Sequence, residues 1–130
     1  MIRAILIDDE QKNLLNLQRL LEKYCPNVTV VAQANNAIEG INQISAHSPD
    51  LIFLDIQMPG KNGFEMLQEL NSYDFEVIFV TAFSQYGLQA IKFSAIDYLL
   101  KPINIDELKL AVQKTSEHIS LKKLNERLET

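Results

Sequence analysis

Apolar residues in this chain come in short runs, and amphipathic stretches separate them. Arg3–Asp8 reads as a strand, and Leu14, Leu17, Leu21 and Tyr24 then repeat as one face of a helix. Pro26-Asn27 ends that helix and Val28–Ala32 reads as a second strand. From Asn36 to about Ala46 the spacing predicts a helix, with Ile38, Ile41 and Ile44 at intervals of three. Ser48-Pro49-Asp50 turns into a third strand, Leu51–Asp55. After the loop Pro59-Gly60-Lys61-Asn62-Gly63, Phe64, Leu67 and Leu70 mark a third helix. Glu76–Thr81 follows as the fourth strand, about Gln85–Phe93 as a short, weak helix, and Asp97–Leu100 as the fifth strand. The last helix starts near Asn104 or Ile105, with Ile105, Leu108, Val112 and Thr115 on one face.

Strands that alternate with helices imply βαβ units with right-handed crossovers and a parallel sheet. The third and fourth strand runs are continuously apolar, as expected where helices cover both faces. The predicted fold is therefore a doubly wound α/β sandwich of about five strands. Four of the five runs end in reactive residues: Asp8-Asp9-Glu10, Asp55, Thr81, and Lys101 followed by Pro102. In an open parallel sheet the carboxyl ends of the strands share one edge, and ligands bind there. Three carboxylates, a hydroxyl and an ammonium are thus expected in one crevice.

Bulk composition narrows the setting. A chain of 130 residues, 47% hydrophobic and 22% charged, is one globular domain by length and composition. The lone Cys25 has no internal disulfide partner, and no apolar stretch approaches the roughly 18 residues of a membrane span. The chain runs into its first strand at once, leaving no room for a signal peptide, so a cytoplasmic location is expected. A net charge of −5 disfavours direct binding to nucleic acid or to an anionic membrane.

Clustered carboxylates repel one another unless a cation neutralises them. Oxygen-only donors with no neighbouring Cys or His favour magnesium over zinc. A carboxylate beside such a cation can attack phosphorus and become an aspartyl phosphate, with Lys101 and the Thr81 hydroxyl serving the phosphoryl oxygens. Taken singly, a strand-terminal Asp can be a helix cap, Thr81 a β-branched strand residue and Lys101 a solvated end. Their recurrence at four strand ends favours the shared site. His47 and His118 read as surface residues, Cys25 as a small core filler and Met66 as helix packing.

These motifs resemble the response-regulator receiver domain of bacterial two-component signalling. The matching text is Ile7-Asp8-Asp9-Glu10, Asp55-Ile56-Gln57-Met58-Pro59-Gly60 with Gly63, Thr81-Ala82, and Asp97-Tyr98-Leu99-Leu100-Lys101-Pro102, over about the first 118 residues. The stretch from Thr81-Ala82-Phe83 to Pro102 further resembles the branch that carries a LytTR-type DNA-binding output domain. The resemblance implies a flavodoxin-like (βα)5 fold with strand order 2-1-3-4-5. It implies Asp55 as the acceptor of phosphate from a sensor histidine kinase. It also implies Mg2+ held by Asp9 and Asp55, by Asp8 through water, and by the Gln57 backbone carbonyl. Thr81 and Lys101 would bind the phosphoryl oxygens, and Lys101 would pair with Asp55 when that carboxylate is bare. Tyr98 would move inward with Thr81, and Pro102 would follow a cis peptide bond. Such a domain is regulatory, catalysing only its own phosphorylation and slow dephosphorylation. Asn62 departs from the residue usual in the family, with nothing essential put in doubt.

Residues 1–118 would then be the receiver, with 119–130 as a helical extension or linker. Its Ile119, Leu121, Leu124 and Leu128 form an apolar stripe among charges, resembling a short coiled-coil seam. An output domain is expected beyond it, and any contact with DNA would be made through that domain. Homodimerisation on phosphorylation is expected through the face of the last two helices and the fifth strand. One alternative is a magnesium-dependent aspartyl-phosphate phosphohydrolase, but its general acid would be an Asp where Gln57 stands. The other is a flavin- or nucleotide-binding module, but the acidic loop after the first strand would repel a phosphate lacking a metal.

Overall fold

The computed structural model describes residues 1–129. Among the described residues five strands and five helices alternate. They are β1 (Ile2–Ile7), α1 (Gln11–Tyr24), β2 (Val28–Ala34), α2 (Ala37–His47), β3 (Leu51–Leu54), α3 (Gly63–Leu70), β4 (Glu76–Thr81), α4 (Gly87–Lys92), β5 (Asp97–Leu100) and α5 (Ile105–Glu129). All pairings are parallel and the sheet order is β2-β1-β3-β4-β5, the flavodoxin-like arrangement expected. The order reverses at β1, so β1 and β3 flank the point where a crevice opens at the sheet's carboxyl edge.

Side-chain alternation along the strands divides the interior into two layers. On one face, Ala4, Leu6, Phe53, Ile78 and Val80 meet Leu14, Leu17 and Leu21 of α1 and Leu108, Ala111 and Val112 of α5. On the other, Ile5, Ile7, Ile52, Leu54, Val77 and Phe79 meet α2, α3 and α4. Every residue of β3 is buried, which is why that run carries no polar position. Cys25 lies in the first layer and Met66 in the second.

The helix on α2 is rotated from the expected phase. Its buried residues are Ala37 and Gly40, Ile41 and Ile44 are half-buried, and Ile38 is 71% exposed. Small residues let this helix approach closely, since a Cβ on Gly40 would meet Ile7 Cδ1 at 3.0 Å. The strip that packs therefore centres on the small residues and leaves Ile38 on the flank. β2 runs two residues past the expected Ala32 because Gln33 and Ala34 pair with Leu6 and Ile7, beyond a register shift at Ala4/Ile5 that passes over Val31 of β2. The helix expected over about Gln85–Phe93 is shorter, at six residues.

Candidate functional site

Backbone bonds carry three strand-end residues beyond their strands and hold them in line. The Asp8 amide donates to the Ala34 carbonyl at 3.1 Å, the Asp55 amide to the Ile7 carbonyl at 2.9 Å, and the Lys101 amide to the Thr81 carbonyl at 2.8 Å. Each side chain is thereby launched from the ladder edge and not from a loose loop. Gly63 closes the arrangement from below. A Cβ there would lie 2.5 Å from the Asp55 carbonyl oxygen, so only glycine lets α3 start this close to the Asp55 backbone.

One carboxylate oxygen from each of Asp8, Asp9 and Asp55 lies within 4.8 Å of the others. Asp8 and Asp55 are buried, and Asp9 is partly exposed. Like charges this close repel, and burial adds a desolvation penalty. Lys101 offsets part of both, with Nζ 2.6 Å from Asp8 Oδ2 and 3.2 Å from Asp55 Oδ2. The second oxygens are also engaged. Asp8 Oδ1 accepts the Glu10 amide at 2.9 Å and, more loosely, the Asn13 side-chain amide at 3.4 Å. Asp55 Oδ1 accepts the Ile56 amide at 2.7 Å. Asp9 has no such partner among the described residues.

These surroundings displace two titrations. Burial pushes the Asp55 carboxyl above the usual range; the Lys101 charge pulls against that, and Asp8 adds to the rise. For Lys101, burial lowers the ammonium's pKa, but the bond to Asp8 and the charges of Asp55 and Asp8 outweigh it, and the net shift is upward. Asp55 is thus a carboxylate with a raised basicity held ready beside a firmly protonated ammonium. The donor set fits a hard divalent cation: three carboxylates against one ammonium leave an excess of negative charge, and no Cys or His takes part.

The remaining predicted residues lie around this cluster. Thr81 ends β4, fully buried, and its Oγ1 accepts the Phe83 amide loosely at 3.4 Å. The Lys101–Pro102 peptide bond is cis. Tyr98 is half-buried in β5, its ring 6.5 Å from that of Phe79, and its hydroxyl donates to the Phe83 carbonyl. Gln57 is exposed two residues after Asp55, with its side-chain amide donating to the Tyr86 hydroxyl at 2.8 Å. Lys101 bridges Asp8 and Asp55, so its bond to Asp8 adds to the pairing with Asp55 that the resemblance implied.

Three contacts were not foreseen from the sequence. Tyr86 bridges the rim by meeting Gln57, and nothing in its local sequence signals this. The Phe83 carbonyl, not its ring, receives Tyr98. Asn62 caps α3 in a reciprocal box, accepting the Glu65 amide at 2.9 Å while Glu65 accepts the Asn62 amide at 2.9 Å. The Asn-x-x-Glu spacing before an apolar run is itself the signal that could have found it.

A strand-edge acidic cluster bridged by a lysine, on a sheet of this order, defines a receiver-type module. The profile of the response regulator receiver domain matches residues 4–113, and the chain belongs to that family. It is 46% identical over 115 residues to an uncharacterized response regulatory protein of Vibrio cholerae, covering 88% of this chain and 48% of that protein. It is 35% identical over 127 residues to the transcriptional regulatory protein BtsR of Escherichia coli, covering 93% and 53%. The chain therefore spans about half the length of these curated relatives. Among solved structures it resembles the response regulator TrrA of Thermotoga maritima in complex with Mg2+ and BeF, with TM-score 0.77 and 32% identity, covering 88% of this chain and 99% of that one. Membership makes the chain a regulatory module of two-component signalling and not a metabolic enzyme, which sets aside the phosphohydrolase. No helix among the described residues is long and apolar enough to cross a membrane.

Proposed function

We propose that this chain is a phosphoacceptor switch in which Asp55 takes a phosphoryl group from a sensor histidine kinase. The observation that carries this reading is the buried Asp55 carboxylate with Asp8 and Asp9 within 4.8 Å and Lys101 Nζ at 3.2 Å. Accepting a phosphoryl group is the general function of the family, and receiver domains bind Mg2+ at an acidic pocket. Here Asp9, Asp55, Asp8 through water, and the Gln57 carbonyl would hold the ion. Bound Mg2+ supplies positive charge that screens the carboxylates and the phosphoryl oxygens.

The chain's own residues do the rest. An Asp55 oxygen forms the new bond to phosphorus as the phosphohistidine P–N bond breaks, and the imidazole nitrogen keeps that electron pair. As Asp55 becomes an acyl phosphate it loses its charge, and Lys101 turns from that carboxylate to a phosphoryl oxygen. The Thr81 hydroxyl, now the acceptor of a loose bond, turns to donate to another oxygen. Tyr98 follows the loop that Thr81 anchors. Residues 1–118 form the receiver and 119–129 its helical extension; Thr130, the last residue of the expected extension, lies outside the described residues. The relatives' length and the transcriptional role of BtsR support a DNA-binding output domain in the whole protein, of LytTR type by the Thr81–Pro102 motif, and a cytoplasmic site of action.

Acetyl phosphate with Mg2+ should add one acid-labile phosphoryl group to the chain. Asp55→Asn, nearly isosteric, should abolish the addition and keep the fold. Equal phosphorylation of that variant in intact-mass spectra refutes Asp55 as the acceptor.

A further inference from the structure

Helix α5 continues for 14 residues beyond Thr115, the last of its buried positions, to Glu129. The first turns of that stretch are seated under the amino edge of the sheet. His118 Nδ1 lies 3.0 Å from Glu76 Oε1, whose side chain is mostly buried. Lys122 Nζ donates to the Asp74 carbonyl at 2.9 Å. Ile119 packs on the core layer shared with α1. Between helix and corner lies a cleft of about 450 Å3, lined in part by Tyr73, Phe75, Lys122 and Glu126. The Tyr73 and Phe75 rings stack at 4.6 Å, giving the corner between α3 and β4 a firm wall.

On a helical projection, His118, Ile119, Lys122 and Glu126 share one side. Leu121, Leu124 and Leu128 share another, centred roughly 140° around the helix. Those leucines are 59%, 49% and 76% exposed. Their spacing of three and then four matches the a and d positions of a coiled coil. In the same register Ile119, Lys122 and Glu126 take outer positions, f, b and f, and His118 takes e, ahead of the first seam leucine. The side that grips the receiver body is therefore the side a coiled coil leaves free.

We propose that the α3–β4 corner is a seat that fixes the rotation of α5, and that the leucine seam so presented pairs with the same seam of a second copy in parallel. Seat and seam do not compete, so both contacts form at once. The extension is close to charge-balanced, with Lys122, Lys123 and Arg127 against Glu126 and Glu129, so two copies meet without strong repulsion. Parallel pairing also suits a chain that spans about half the length of the curated relatives it matches, since it brings two copies together in one shared orientation. The seam is under two heptads long, so it pairs weakly by itself.

Cysteine cross-linking of the 130-residue chain tests this, because Cys25 is buried and does not compete. Under mild glutathione oxidation Leu124→Cys should give a disulfide-linked dimer in several-fold higher yield than Lys123→Cys, which lies off the seam. Equal yields at the two positions, or no dimer from Leu124→Cys, overturn the pairing. The seat is read separately by hydrogen exchange. His118→Ala with Lys122→Ala should accelerate exchange of the amides over 119–128 by about tenfold and blur the cross-linking preference. Exchange equal to the parent's overturns the seat. Neither readout depends on phosphorylation of Asp55.

Discussion

The ammonium of Lys101 stands 2.6 Å from Asp8 Oδ2, so the lysine's shorter bond is to the supporting carboxylate and not to the proposed acceptor. A single cation thus stabilises two buried anions, and its removal leaves both without it. Lys101→Met should lower stability in metal-free buffer by about 1–3 kcal/mol, below the range for a fully buried pair because the lysine keeps some solvent contact. Adding Asp8→Asn to that variant should restore part of the loss. Urea titrations read both, and a Lys101→Met variant as stable as the parent refutes the bridging role.

Asp9 predicts the opposite sign. It shares the cluster, yet no cation or donor among the described residues answers its charge. Asp9→Asn should therefore stabilise the metal-free chain, by up to about 1 kcal/mol given its partial exposure. The same change should weaken Mg2+ binding. Calorimetric titration showing Mg2+ affinity unchanged refutes Asp9 as a ligand.

Asp55 adds a pH dependence. Its folded pKa is raised above the ordinary value of about 3.9, so the folded chain binds this proton more readily than the unfolded chain does. Its contribution is then most favourable below the ordinary value and declines as pH rises through the folded one. Asp55→Asn carries no such titration. The stability advantage of that variant over the parent should grow across this window and level off above it. Lys101, whose folded pKa is also raised, contributes stability that is present below about 10.4 and lost as pH rises through its folded value. The lysine bridge is accordingly intact at neutral pH, and paired urea titrations from acid to alkaline pH follow both groups.

The sheet was legible because its strands are continuous apolar runs that end abruptly in polar residues, and parallel pairing aligns those ends. Asp8, Asp55, Thr81 and Lys101 followed from that alone. What was not legible depends on how closely elements approach. Ile38 shares the spacing of Ile41 and Ile44, but Gly40 lets α2 settle on its small residues and turns Ile38 outward. Tyr86 meets Gln57 across 29 positions of sequence, and no local pattern encodes that distance. The grip of His118 on Glu76 was likewise hidden, because an exposed histidine on a helix reads as surface until the facing strand is placed.

Asn62 shows the reverse case, a local signal with a stability consequence. Its capping box satisfies two backbone donors at the start of α3, the helix whose first residue touches the Asp55 backbone. Asn62→Ala should cost about 1 kcal/mol in thermal or urea unfolding, while Asn62→Asp should cost less. No loss in the alanine variant refutes the cap as a stabilising element.

The last prediction concerns what phosphorylation changes. Moving a two-state switch from about 1:99 to 99:1 needs roughly 5.5 kcal/mol of differential interaction. New charge-assisted bonds from a phosphoryl group to Lys101 and Thr81 are of that order. In the unphosphorylated chain Tyr98 donates to the Phe83 carbonyl, so its ring and the loop after β4 are tied together. Drawing Thr81 inward shifts that loop and α4, the shortest helix among the described residues. The face that responds is made by α4, β5 and α5, where Leu88, Ile91 and Leu100 are 81%, 71% and 42% exposed around a cleft of about 1080 Å3. Apolar residues this exposed on one face suit association, and we predict phosphorylation-promoted homodimerisation there. Sedimentation with Mg2+ and beryllofluoride, a mimic of the aspartyl phosphate, should show a dimer at concentrations where the untreated chain is monomeric. Ile91→Asp should suppress that dimer while Asp55 is still phosphorylated. A chain that stays monomeric at high micromolar concentration with the mimic bound refutes dimerisation as the output of the switch.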